Sequence, residues 1–263
     1  MKRMSNSPLA TVTQISPNRN SPRNHKIDRI TIHCFVGQVT ARRGCEVFQP
    51  SSKNASCNYV VGYDGSVGLC VDEGDRSWCS SSSANDNRAV TIETASDNKH
   101  PYAVTEKAYA ALLDLVTDIC RRNGAKKLLW FGDKDKTLAY TPQAGEMVMT
   151  VHRWFANKAC PGDYLYERHG EIAAEVTRRL EEEDDEMSYE KFKEYMTQYR
   201  KELQDNDKGS WSEEARAWAI EVGLFAGNGT DINGEPNYMW QDFLTREQAA
   251  QLFYRFARDH GMV

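Results

Sequence analysis

Val151-His152-Arg153-Trp154-Phe155-Ala156-Asn157-Lys158-Ala159-Cys160-Pro161-Gly162 puts an imidazole, an ammonium and a thiol close together and then ends on a Pro-Gly pair. The spacing from His152 to Cys160 is too long for one face of a helix, where neighbours lie three or four residues apart. A turn must therefore fold Cys160 back toward His152. A second anchor lies far upstream in Arg29-Ile30-Thr31-Ile32-His33-Cys34, where His33 follows a β-branched run that reads as a buried strand. Two imidazoles and one thiolate suit the borderline-soft Zn²⁺ ion. Three protein ligands leave the fourth tetrahedral position open, which is the arrangement of a catalytic rather than a structural zinc.

The chain has 263 residues, of which 40% are apolar and 27% charged. That is enough for a core and for one large domain or two smaller ones. No apolar run is long enough for a membrane span. The start, Met1-Lys2-Arg3-Met4-Ser5-Asn6-Ser7-Pro8, has no apolar core behind its basic residues, so no secretory signal is expected. The expectation is synthesis in the cytoplasm, with another protein releasing the chain to any outside target.

The seven cysteines include no Cys-x-x-Cys pair, which argues against a structural zinc finger. Cys34, Cys70 and Cys120 lie in apolar runs and read as small buried hydrophobes. Cys57 and Cys79 have polar neighbours and read as residues near a cleft. His25, His100, His169 and His260 have no motif around them and are expected at the surface. The net charge of −5 hides an asymmetry: residues 1–180 carry +5, the run Glu181-Glu182-Glu183-Asp184-Asp185-Glu186 carries −6, and residues 187–263 carry −4. A +5 balance over 180 residues is no nucleic-acid signature, and at most draws the chain weakly to an anionic surface.

Residues 1–28 are rich in Ser, Pro, Asn and Arg and predict an extended arm over the domain. Residues 29–36 predict a strand and 44–52 a short helix. Asn58 to Gly62 and Val67 to Val71 flank Asp64-Gly65, which predicts a β-hairpin. Residues 80–88 predict a loop and Ala89 to Thr94 a strand. Thr105 to Asn123 carries Ala108, Leu112, Leu115, Val116 and Ile119 at helical spacing, with Gly124 as its stop. Leu128 to Phe131 predicts a strand, 132–148 a loop or short helical turn, and 166–180 a helix. Strands interleaved with helices argue an α/β layered domain over residues 1–180. Residues 181–187 predict an acidic linker. Residues 188–263 predict a small all-α domain: a stripe from Tyr189 to Leu203, a helix from Trp211 to Ala219, a turn from Gly223 to Gly229, and a helix N-capped by Thr245.

In this order the elements resemble the zinc amidase family that includes peptidoglycan recognition proteins and phage-type N-acetylmuramoyl-L-alanine amidases. The resemblance rests on Ile30-Thr31-Ile32-His33, on Asn58-Tyr59-Val60-Val61 before Asp64-Gly65, on Val90-Thr91-Ile92-Glu93, and on His152 with Lys158-Ala159-Cys160-Pro161-Gly162. It spans roughly residues 7–180. It implies a mixed β-sheet flanked by helices, with a zinc cleft on one face. It also implies cleavage of the amide between the lactyl group of N-acetylmuramic acid and the L-alanine of the peptidoglycan stem. The family's zinc ligands map onto His33, His152 and Cys160, its catalytic acidic residue onto Glu93 and its catalytic lysine onto Lys158. Some relatives place a catalytic Tyr where this chain has Cys57, which points to the Glu93 subtype. Trp154 and Asn58 are expected against the substrate. The C-terminal region resembles a single S-layer-homology repeat, which implies contact with a secondary cell-wall polymer, with Trp218 and Arg246 as candidates.

The expected chemistry follows from the residue types. Zinc acidifies a bound water and polarises the carbonyl, Glu93 moves the proton, and Lys158 stabilises the oxyanion. The reading is an endolysin of a phage or prophage of a Gram-positive host. The rival is a protein that binds peptidoglycan without cutting it, for which the Cys160 ligand has no use. A further expectation concerns assembly: the acidic run just before Met187 is compatible with an internal start, giving a C-terminal fragment that joins the full chain, or with a homo-oligomer.

Overall fold

Arg29-Ile30-Thr31-Ile32-His33-Cys34 is a strand buried along its whole length in the computed structural model, which describes residues 6–184 and 189–263. It is an interior strand of a seven-stranded sheet. In chain order the N-terminal unit contains β1 (Val12–Thr13), β2 (Arg19–Asn20), β3 (Arg29–Cys34), α1 (Ala41–Val47), β4 (Tyr59–Val61), β5 (Val67–Leu69) and β6 (Arg76–Ser77). Next come α2 (Ser83–Asp86), β7 (Ala89–Thr94), α3 (Glu106–Arg122), β8 (Lys127–Leu129), α4 (Lys134–Ala139), β9 (Glu146–Thr150) and α5 (Asp163–Asp184). The sheet order is β1-β5-β4-β7-β3-β9-β8. β3 pairs in parallel with both β7 and β9, while β4 and β5 form the antiparallel hairpin, so the sheet is mixed as expected.

Alternation along the strands sorts the two faces. Ile30 and Ile32 of β3, Val90 and Ile92 of β7, and Met147 and Met149 of β9 belong to the main core. There they meet Leu112, Leu115 and Ile119 of α3 and Leu165, Ile172 and Val176 of α5. A second buried cluster holds Cys45 and Phe48 with Cys57, Val60 and Cys70. Between the central strands, Thr31 and Thr150 share a hydroxyl hydrogen bond of 2.7 Å, and Asn85 bonds to both. These three polar side chains satisfy one another inside the sheet, as burial demands.

Several expectations need correction. Residues 132–148 are not merely loop, because Glu146–Thr150 forms β9 between β3 and β8. A five-residue run buried on both faces shows no alternation, so periodicity could not reveal it. The arm is more than a cover: β1 adds a parallel edge strand to β5, and β2 pairs with β6. Arg23 fastens it, donating to the carbonyls of Glu73, Asp75, Asn87 and Ala89. The helix expected at 44–52 starts at Ala41, because Thr40 caps it. The loop at 80–88 contains α2, capped by Ser82. Helix α5 runs through the first four residues of the expected linker, where Arg178 pairs with Glu175 at 2.8 Å and with Glu182. Met187 lies outside the described residues.

By contacts the chain divides into residues 1–185 and 186–263. The C-terminal unit has α6 (Tyr189–Glu202), α7 (Glu213–Glu221), a small hairpin of β10 (Asp231–Ile232) and β11 (Glu235–Pro236), and α8 (Arg246–Asp259). The hairpin departs from the all-α expectation. Its turn is Asn233-Gly234, with φ of +53° and +84°. This dipeptide adopts positive φ at low cost and makes the tightest hairpins. Thr245 and Gln248 form a reciprocal capping box at the start of α8.

Glu73 is the buried joint of the N-terminal unit. It accepts from the Tyr59 hydroxyl at 2.6 Å and from Arg122 at 2.6 and 3.0 Å, and the Tyr59 oxygen in turn accepts from the Ser7 amide at 2.8 Å. Glu73→Ala removes one partner of a buried pair and is expected to cost about 3–5 kcal/mol. Glu73→Gln, which keeps an acceptor, should cost less. Urea denaturation of the two variants checks the order.

Candidate metal centre

Three neighbouring strands deliver the site. His33 near the end of β3 sits in register with Glu93 of β7, and β9 on the other side leads through Val151 into a 3₁₀ turn that begins at His152. Parallel pairing places all three residues at the same end of the sheet. The loop then returns as its spacing required. The Arg153 amide donates to the Cys160 carbonyl at 3.2 Å, and the Arg153 guanidinium reaches the Ala159 carbonyl at 2.6 Å and Asp163 at 3.1 Å. Gly162 closes the turn at φ +80°, where a Cβ would lie 2.7 Å from Tyr102 Cβ and 3.0 Å from the Pro101 carbonyl. Only glycine fits there.

The result brings His33, His152 and Cys160 together, with one ligand atom from each inside 4.8 Å of the others. Cys160 Sγ lies 3.3 Å from His33 Nδ1. Zinc–nitrogen and zinc–sulfur bonds of about 2.1 and 2.3 Å at a tetrahedral angle span about 3.6 Å between ligand atoms, so the pair is at metal-bridging distance. Burial holds the His33 imidazole well below its ordinary pKa. Burial, with the nearby Lys158 charge, lowers His152. Both rings are therefore neutral, the form that binds a cation. Contact with the Cys34 thiol and burial push the Cys160 thiol well up. Two buried atoms of the site, His33 Nε2 and Glu93 Oε2, have no hydrogen-bond partner. The donor set fits a zinc ion.

Glu93 lies beside this cluster, and burial pushes its carboxyl up to about 8. Cys79 stands 3.9 Å from Glu93 Oε1, and His33, Cys79 and Glu93 form a second convergent set. Lys158 is exposed on the returning loop. Trp154 stacks on Trp130 with centroids 5.1 Å apart and an interplanar angle of 1°. It also lines a cleft of about 560 Å³ with Arg29, Ser81, Asn85, Lys134 and Phe155.

Not every expected residue joins the site. Asn58, expected against the substrate, is fully buried, and its amide is used within the fold. It donates to the carbonyls of Val71 and Asp72 and accepts from the Thr91 amide. Cys57 is likewise not near a cleft but lies fully inside the second core cluster. His169, expected at the surface, is buried, with Nδ1 2.6 Å from the Leu165 carbonyl and its ring 4.7 Å from Trp130. Burial lowers its pKa to about 4. In the C-terminal unit Trp218 packs 5.9 Å from Phe256, and Arg246 is the exposed first residue of α8.

Ser81 was not foreseen. Its hydroxyl lies 2.9 Å from His152 Nε2. In the tautomer that donates its Nε2 proton to this hydroxyl, Nδ1 is the lone-pair nitrogen, and Ser81 then has the orienting role that outer groups play at metal sites. Ser81 adopts φ +62°, unusual for a residue with a Cβ. The bend before it is held by Asp86, which accepts from the Cys79 amide at 3.0 Å and from the Ser80 amide and hydroxyl at 3.1 and 2.6 Å. In a run of four serines no sequence signal distinguishes this one.

The family described as N-acetylmuramoyl-L-alanine amidase matches residues 23–163, more than half of the chain. The chain belongs to this family and is an amidase. No curated protein matches it. Among solved structures, PlyL is 15% identical with a TM-score of 0.46, covering 63% of this chain and 95% of its own. The endolysin amidase LysCS from Clostridium intestinale is 14% identical with a TM-score of 0.43, covering 64% and 96%. The Drosophila peptidoglycan recognition protein SA is 16% identical with a TM-score of 0.41, covering 58% and 81%. No helix among the described residues is long and apolar enough to cross a membrane.

Two outcomes follow for the metal. Cys160 must lose its proton to bind, whereas both imidazoles are already neutral. Below the free thiol's pKa, uptake therefore releases a proton, and affinity should rise about tenfold per pH unit. Competition with a chromophoric chelator between pH 6 and 8 measures this, and a flat profile rules out the thiol as a ligand. Ser81→Ala should weaken zinc affinity about 10–100-fold in the same assay.

Proposed function

We propose that this amidase is zinc-dependent and hydrolyses the bond between the lactyl group of N-acetylmuramic acid and L-alanine. The observation that supports this best is the convergence of two neutral imidazoles and a thiol, contributed by two strand ends and a returning loop. Bound at these ligands, Zn²⁺ would supply Lewis acidity and an acidified water at neutral pH. The chain's own groups do the rest. Glu93, with a carboxyl tuned to about 8, takes a proton from the attacking water and returns it to the leaving amine of L-alanine. A group with a pKa near the working pH performs both transfers efficiently. Lys158, on the rim beside His152, sets its positive charge against the oxygen that turns anionic as the carbonyl becomes tetrahedral. The indole of Trp154 offers an apolar wall for the sugar or stem peptide in the adjoining cleft.

In this reading the protein is an endolysin of a phage or prophage with a Gram-positive host, reaching the wall after release from the cytoplasm. The C-terminal unit is the part available for attachment, with Arg246 as the candidate contact for an anionic wall polymer.

Mass spectrometry of digested walls tests the reading. The expected product is a stem peptide with a free L-alanine amino terminus, lost on chelation and in Cys160→Ser. Glu93→Gln should lower kcat about 10²–10⁴-fold and Lys158→Ala about 10²–10³-fold. Walls that remain intact while the protein co-sediments with them would replace this reading with a binding-only function.

A further inference from the structure

Cys45 and Cys70 are 25 residues apart in the chain, yet their sulfurs lie 2.8 Å from each other. Unbonded carbon atoms settle at about 3.5–4.0 Å, and sulfur is larger than carbon. Both side chains are fully buried, in the core cluster that also holds Phe48, Cys57 and Val60. A thiol is a weak donor and a weak acceptor, so hydrogen bonding alone gives little reason to hold two of them face to face in a dry place. Among the described residues no third donor joins the pair to make a metal site.

The close approach is built into the fold from both sides. Thr40 caps α1, and the Ala41 amide donates to the Ser66 hydroxyl at 3.0 Å, which ties the start of the helix to the β4–β5 turn. Gly44 lets α1 come down onto β4, because a Cβ there would lie 2.5 Å from Val60 Cγ1. Gly68 clears the same space on β5, because a Cβ there would lie 2.6 Å from Cys45 Sγ itself. A side chain at either position would push α1 away from the hairpin. Cys70 is fixed in turn: its amide donates to the Asn58 carbonyl at 2.8 Å, and its carbonyl accepts from the Ser16 amide at 2.7 Å.

We propose that Cys45 and Cys70 are a disulfide-forming pair, reduced in the cytoplasm and joined once the chain meets an oxidant outside it. The change of compartment rests on the endolysin reading above; the pairing itself rests on the geometry alone. Cytosolic thiols are kept reduced, whereas disulfides persist outside. The oxidant is a small organic disulfide. One cysteine, as thiolate, attacks it and displaces a small thiol. The second cysteine then attacks the mixed disulfide and displaces the other small thiol. The pair gives up two protons and two electrons, and one small disulfide becomes two thiols. Closing a bond of about 2.05 Å brings the sulfurs roughly 0.8 Å nearer. The oxidant enters by local opening, since α1 has only seven residues and short surface elements open without global unfolding. The bridge fastens α1 to the hairpin side of the sheet. Cys79, 3.9 Å from Glu93, packs against the same cluster, so the bridge also braces the surroundings of that carboxylate.

Incubating the zinc-loaded full chain with oxidised glutathione and then alkylating free thiols in denaturant tests this. Two of the seven cysteines should escape alkylation, and peptide mapping should join Cys45 to Cys70. After treatment with a phosphine reductant all seven should react. The bridged chain should melt roughly 7–14 °C above the reduced one, as a loop of this length in a domain of this size implies. Cys45→Ala and Cys70→Ala should each melt alike under the two treatments; should either fail to fold, the wild-type comparison still decides. Seven alkylated cysteines after oxidation, or a bridge that runs to Cys57 or Cys79 instead, overturns the pairing. Equal melting temperatures for the bridged and reduced chains overturn the fastening role. Chain alkylated inside the producing cells should have all seven thiols free, and a bridge found there overturns the change of compartment. None of these readouts involves catalysis: a chain that forms the bridge but frees no L-alanine terminus from walls keeps the pair and loses the amidase reading.

Discussion

The parallel register of β7, β3 and β9 is the constraint on which the site depends. It sets Glu93 directly beside His33, and it ends β9 just where His152 can turn in over the strand tips. A slip of one residue in any strand would point the ligand into the opposite face of the sheet. The register is held from both sides. Below, Ile30, Ile32, Val90, Ile92 and Met149 pack into the helix-covered core. Above, the Thr31–Thr150–Asn85 hydrogen bonds link the outer strand to the inner one. Together the two layers set where His33, Glu93 and His152 meet.

The loop that supplies the third ligand obeys a different logic. It has no strand to hold it, so backbone contacts at Arg153 and a glycine with no room for a side chain do that work. The pKa pattern has the same origin. Enclosure by the fold lowers both imidazoles, and contact with the Cys34 thiol together with burial raises the Cys160 thiol.

The parts of the fold that showed in the sequence carry strong local signals: the β-branched run before His33, the Asp64-Gly65 hairpin, and the long amphipathic α3 capped by Thr105. The convergence of His33, His152 and Cys160 was legible because imidazole and thiol are sparse in this chain, and Glu93 was legible because it lies in a β-branched strand run. Other features were hidden for physical reasons. β9 is buried on both faces and so shows no period of two. Asn58 reads as a polar residue beside a strand, and only the fold reveals that its amide completes the backbone bonding of Val71 and Asp72. His169 sits nearly two turns into a mostly polar helix, and its ring packs on Trp130 from a distant strand end. Ser81 owes its importance to a backbone shape, and shape of that kind leaves no mark on composition.

His33 and Cys160 are 127 residues apart, and that separation bears on how the enzyme is made. At about 5–20 residues per second, a ribosome finishes the last ligand roughly 6–25 s after the first. Throughout that interval the nascent chain lacks the third member of the donor set. A product truncated before Cys160 therefore lacks one of the three convergent donors and the whole of α5.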